Sequence, residues 1–121
     1  MTPGARLAAA IEVLDAIQSG QAVEPALVTW ARGHRFAGSG DRHAIRDLVF
    51  DALRCRRSCA ALGGAETGRG LMLGLARARG QEALFDGVGH APAPPGPDEA
   101  AGSESAGTGS VTTSTLPDDP T

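Results

Sequence analysis

The chain has 121 residues, 41 % of them hydrophobic and 21 % charged, with 11 arginines, no lysine and a formal charge of −3; its length bounds it to one domain. No run approaches the roughly 18 apolar residues of a membrane span, so no membrane partner is expected, and Glu12 and Asp15 interrupt the apolar patch "LAAAI" in a way that argues against a signal peptide. Two cysteines four residues apart make no disulfide framework, so the expected setting is a reducing cytoplasm.

The first segment, "TPGARLAAAIEVLDAIQSG", is punctuated as a helix: Thr2 can cap it, Pro3 suits its first position and Gly20 its end. Leu7, Ala10, Ile11, Leu14 and Ile17 recur at three- and four-residue steps and form one apolar face. A shorter helix is predicted over "EPALVTWARG", opened by Pro25 and closed by Gly33, with Leu27, Trp30 and Ala31 toward the core. After the loop "HRFAGSG", the stretch "GSGDRHAIRDLVFDALRCRRSCAAL" (38–62) reads as one long helix capped by Ser39 or Asp41. Ile45, Leu48, Val49, Ala52 and Leu53 fill one arc of it, with Arg42, Arg46 and Arg57 along its edge. Asp51 can pair with Arg54 at three-residue spacing. Cys55 and Cys59 project toward the apolar side and read as two small buried thiols.

"GGAETGRG" breaks the pattern, and Thr67 caps a fourth predicted helix, "TGRGLMLGLARARG", that ends at Gly80. Leu71, Leu75 and Ala78 give it a modest apolar face, which Gly70 and Gly74 weaken. A turn of helix is predicted at "QEALF". From Ala91 the chain turns to Pro, Gly, Ser and Thr, with five carboxylates and no base, whereas residues 1–90 hold all 11 arginines against nine carboxylates. The expectation is an all-α domain over 1–90 and a disordered acidic tail over 91–121, which has too little apolar surface to offset its ordering entropy.

Few residues offer chemistry. "GGAETGRG" follows a helix instead of a strand and brings no lysine, so it reads as a connector and not as a phosphate or dinucleotide loop. No nucleophile–base spacing stands out, and His34, His43 and His90 follow no metal motif. The arginines remain: from Arg32 to Arg57 there are seven against three aspartates. Such a cluster can neutralise phosphates; the plainer alternative is a solvated flank whose arginine stems cover apolar surface. Arg35, Arg42, Arg46, Arg54, Arg56 and Arg57 are the candidate RNA contacts. With three Phe and one Trp, an aromatic base-stacking platform is not expected.

The order "RLAAAIEVLDAIQSG", "LVTWARG", "DRHAIRDLVFDALRCRRSCAAL" resembles the N-terminal domain of RsmB-type ribosomal RNA cytosine methyltransferases, which shares its fold with the transcription antitermination factor NusB. Asp41-Arg42 followed by "IRDLVFDALR" is its most specific element, and "GLMLGLARARG" and "FDGVGHAPAP" resemble family members too. The resemblance implies a NusB-like helical bundle, here incomplete, with small-subunit ribosomal RNA as partner. In the whole enzyme it implies a Rossmann-like domain that binds S-adenosylmethionine and methylates cytosine through a cysteine. That domain is not recognised in these residues, and neither Cys55 nor Cys59 matches the catalytic contexts. The implied function is therefore a non-catalytic RNA-binding module that holds no cofactor itself. Arg42 and Arg46 carry over as RNA-facing or helix-anchoring groups. The alternative is a NusB-fold adaptor for a ribosomal or transcription protein in antitermination or ribosome assembly. An incomplete bundle would leave apolar surface uncovered, so marginal stability or self-association is expected.

Overall fold

Thr2 and Pro3 start the first helix as their chemistry dictates. In the computed structural model, which describes residues 1–99, α1 spans Pro3–Gln18, and the Thr2 hydroxyl accepts a hydrogen bond from the Ala5 amide at 3.1 Å. Gly20 then turns the chain with a φ of +119°. Helix α2 spans Val23–Gly33 and buries Ala26 and Trp30; it begins two residues before the expected Pro25. The described residues contain helices and turns and no strand, so the fold is all-α.

The stretch read as one long helix is two. Helix α3, Ser39–Arg54, stops at Cys55, and α4, Arg56–Gly63, resumes after it. The physical reason is a change of partner: α3 packs chiefly on α1, whereas α4 packs chiefly on α5. Cys55, at the break, is exposed, and only Cys59 is buried. The expected cap also moves: Gly38 precedes the first turn, and Asp41 reaches back to accept from the Gly38 amide at 3.3 Å.

Helix α5, Gly68–Ala78, is the centre of the molecule, with Gly68 and every residue from Gly70 to Ala76 buried. Its first turn is held twice. The Thr67 hydroxyl accepts from the Gly70 amide at 3.0 Å, and Asp15 of α1 accepts from the Gly68 amide at 2.9 Å. The glycines that weaken this helix by propensity let α4 meet it backbone to backbone. A Cβ at Gly74 would lie 1.8 Å from the Cys59 carbonyl oxygen, and one at Gly63 would lie 1.8 Å from that of Gly70. Around this contact Leu14, Ile45, Leu71, Met72 and Leu73 are fully buried, each contributing about 1.5–3 kcal/mol by leaving water.

The packed chain does not stop where the composition changes. After the 3-10 turn Glu82–Leu84, Phe85 is buried, and residues 86–99 run back as a strap over the bundle. The Gly87 amide donates to the Pro92 carbonyl at 2.8 Å, and Ala91 sits so close to Gly4 of α1 that a Cβ there would lie 2.7 Å from its own. Arg69 of α5 is the clamp. It donates to the Ala93 and Pro94 carbonyls at 2.8 and 3.1 Å, pairs with Glu99 at 2.7 Å, and lies 5.4 Å over the Phe85 ring. Pro92, Pro94, Pro95 and Pro97 restrict the unfolded strap and so lower the entropy lost on docking. The expected tail thus splits: 91–99 lie on the bundle, and the expectation of disorder for 100–121 falls outside the described residues.

The strap also bears on the expected uncovered face. Among the described residues the only exposed large apolar side chains are Met1, Val28, Phe36 and Val88. Arg69→Ala is expected to release the strap while leaving the helices folded. Amide exchange at Gly87 and Gly96 should accelerate at least tenfold relative to α5, and unchanged rates would show that the clamp contributes nothing.

Candidate nucleic-acid interface

Seven of the 11 arginines are tied to carboxylates. Arg6 of α1 donates twice to Asp41, at 3.0 and 2.8 Å, and the Met1 amine lies 3.5 Å from the same carboxylate. Asp41 therefore fastens α1 to the start of α3, and the Arg6 hydrogen bonds hold its carboxyl below the ordinary range. Arg46 makes a two-pronged pair with Glu24 of α2, at 2.9 and 2.5 Å, which lowers the Glu24 pKa and raises that of Arg46. Arg54 and Arg79 share Asp51. Arg56 pairs with Glu66 at 2.7 Å and donates to the Gln18 side chain at 3.1 Å. Arg77 pairs with Glu82 at 3.1 Å.

Arg32, Arg35, Arg42 and Arg57 have no carboxylate partner among the described residues. Three of these four converge. Arg32 and Arg35, from the end of α2 and the loop after it, and Arg42, from the first turns of α3, line one groove of about 520 Å³. Its apolar wall comes from Leu27, Val28, Trp30, Ala31 and Ile45, with His43 and the Glu24–Arg46 pair completing the rim. Arg42 is steadied by donating to the Ala37 carbonyl at 2.8 Å. Four guanidiniums against one carboxylate make the groove a local positive field in a chain of net charge −3.

The six arginines singled out from the sequence therefore separate. Arg35, Arg42 and Arg46 meet in the groove, Arg46 already paired. Arg54 and Arg56 are committed to Asp51 and Glu66, and neither they nor Arg57 line the groove. Arg32 was missed: a base in the last turn of α2 reads from the sequence as a partner of the helix dipole.

The loop between α2 and α3 adds aromatic surface. The His34 ring stacks on Trp30 with centroids 4.2 Å apart and planes 5° apart, and Phe36 meets His34 edge to face at 5.8 Å and 73°. His34 Nδ1 is 2.8 Å from the Trp30 carbonyl oxygen, and its Nε2 is 4.0 Å from Glu12. Trp30 is buried, whereas Phe36 is 70 % exposed.

The lowered carboxylates set the acid limit of the fold. Glu24, Asp41 and Glu99 all titrate below their ordinary values of 4.5, 3.8 and 4.5. Their contribution is complete above those values and is lost as pH falls through the lowered ones. Thermal midpoints followed by circular dichroism should be level above about pH 5 and decline as the solution is acidified through pH 4. In Asp41→Asn the decline should be shallower, and an equally steep one would deny Asp41 a share. Comparison of this chain with protein-family models, with curated proteins and with solved structures gives no match.

Proposed function

We propose that this protein is a non-catalytic RNA-binding module that holds phosphates of small-subunit ribosomal RNA in the α2–α3 groove. In this reading it serves as the N-terminal helical part of a cytoplasmic, S-adenosylmethionine-dependent ribosomal RNA cytosine methyltransferase with a NusB-like bundle. One observation carries the RNA reading. Among the described residues, Arg32, Arg35 and Arg42 line one groove without a carboxylate partner, whereas the other arginines, Arg57 apart, are all paired. Gathering unpaired charge on one groove is a poor way to stabilise a fold and a good way to attract a polyanion. The methyltransferase part rests on the Asp41-Arg42 "IRDLVFDALR" pattern alone.

The test is fluorescence anisotropy with a labelled small-subunit ribosomal RNA fragment over a salt series. Phosphate contacts made by the groove should weaken binding steeply between about 50 and 200 mM salt. No affinity at the low-salt end would remove the proposal. A second reading draws on Val28, which lines the groove and is 49 % exposed, and on Phe36, which follows Arg35 in sequence and is 70 % exposed: an adaptor for a ribosomal or transcription protein. A complex that survives ribonuclease and is lost on Val28→Glu would favour the adaptor.

A further inference from the structure

Resting on the RNA reading of the groove, we propose that the column Trp30–His34–Phe36 is a base-stacking subsite. One unpaired base lies on the Phe36 ring while Arg32 and Arg35 hold the neighbouring phosphates, so that the ligand is a single-stranded segment and not a duplex.

Phe36 is exposed on a turn whose backbone is anchored. The turn is held at both ends: His34 is stacked on buried Trp30, and Ala37, 1 % exposed, donates its amide to the His34 carbonyl at 3.0 Å and accepts from Arg42 at 2.8 Å. The turn from His34 to Ala37 therefore holds the ring out from a rigid base. Trp30 is at once the foot of the column and part of the groove wall, and Arg35 is the residue before Phe36. Aromatic face and unpaired guanidiniums are thus presented by one short stretch.

That combination is selective by its physics. Every base has a π face, so an exposed ring with flanking positive charge accepts an unpaired base with little regard to sequence. The bases of a duplex are already stacked on one another and offer only backbone and groove edges. A turn whose backbone is already anchored before binding also spares part of the ordering cost that a mobile loop would incur. The number of aromatic residues in the chain argued against such a platform; it is their gathering, with His34 as the middle layer, that supplies one.

The experiment compares a single-stranded RNA oligonucleotide with a duplex of equal length, across salt, for the wild type, Phe36→Ala, Phe36→Leu and Phe36→Trp. Phe36→Ala and Phe36→Leu should lower single-strand affinity by about five- to a hundredfold at every salt concentration, the span that loss of one stacked base covers. The salt slope should stay unchanged, duplex binding should not move, and Phe36→Trp should retain wild-type affinity. Circular dichroism checks that these surface variants remain folded. Equal affinity of the wild type for strand and duplex would overturn the subsite and leave the groove standing, as would full affinity in Phe36→Leu. Absence of salt-dependent binding to either RNA would overturn both.

Discussion

Gly74→Ala should lower the thermal midpoint by at least about 10 °C, given a cost near 3 kcal/mol and the 4–8 °C per kcal/mol typical of a domain of this size. By helix propensity alone the change would favour α5 by about 1 kcal/mol. Packing decides otherwise. The new methyl would stand 1.8, 2.6 and 2.7 Å from the carbonyl oxygen, carbonyl carbon and Cα of Cys59, all backbone atoms of α4. No side chain can rotate out of the way, so the two helices must separate and uncover Leu71, Met72 and Leu73. Gly33→Ala and Gly40→Ala are the controls, since nothing lies within 4 Å of either Cβ. Those two should be neutral or raise the midpoint by a few degrees, as helical Gly-to-Ala changes do where about 0.4–1 kcal/mol is gained from the unfolded state. A midpoint for Gly74→Ala within 2–3 °C of the wild type would mean that α4 and α5 are farther apart than described.

The second large effect concerns the groove. Replacing Arg32, Arg35 and Arg42 together by Gln should lower the slope of log affinity against log salt by about 2–3 units, close to one per phosphate contact. Affinity at about 50 mM salt should fall by a hundredfold or more, because each lost contact forfeits the counterion release that its formation would drive. Net charge falls by three in this variant, so the comparison that matters is Arg54, Arg56 and Arg79 replaced by Gln, which changes the charge equally. Those arginines are occupied by Asp51 and Glu66, and their loss should move the slope by less than one unit. If both triple variants behaved alike, general charge and not the groove would govern binding. The proposed RNA site would then have to be abandoned.

What was legible in the sequence was whatever depends on a few consecutive residues. Thr2, Pro3 and Gly20 bound α1, and Thr67 and Gly80 bound α5, because caps and turns are decided by the local backbone. The apolar period of α1 picked out Leu7, Ala10 and Leu14, all buried. Decisions taken across distance were not legible. Nothing in "LRCRRSC" marks a break, since no Gly or Pro interrupts it; the helix ends at Arg54 because Cys59 and Gly63 are needed on α5. The apolar count of α5 understated it for the same reason, its glycines being read for propensity before the neighbour that uses them was known. The site depended on pairings that span 35 residues for Arg6–Asp41 and 22 for Arg46–Glu24. Which arginines remain unneutralised follows only once those pairs form, which is why Arg54 and Arg56 ranked with Arg42, and why Arg32 was overlooked.

The central position of α5 has a consequence for cooperativity. Three of its eleven residues, Gly68, Gly70 and Gly74, are glycine, each about 1 kcal/mol less favourable than alanine in an isolated helix, and a segment of that length is marginal on its own in any case. As a free peptide it has no reason to be helical. It becomes so when α4 lies along its glycines and Asp15, 53 residues away, closes its first turn. The other helices, in turn, bury their apolar faces against it. No part of the bundle is therefore complete without the rest, and the molecule should lose its structure as a single unit: a chain that sheds α1 loses its centre too.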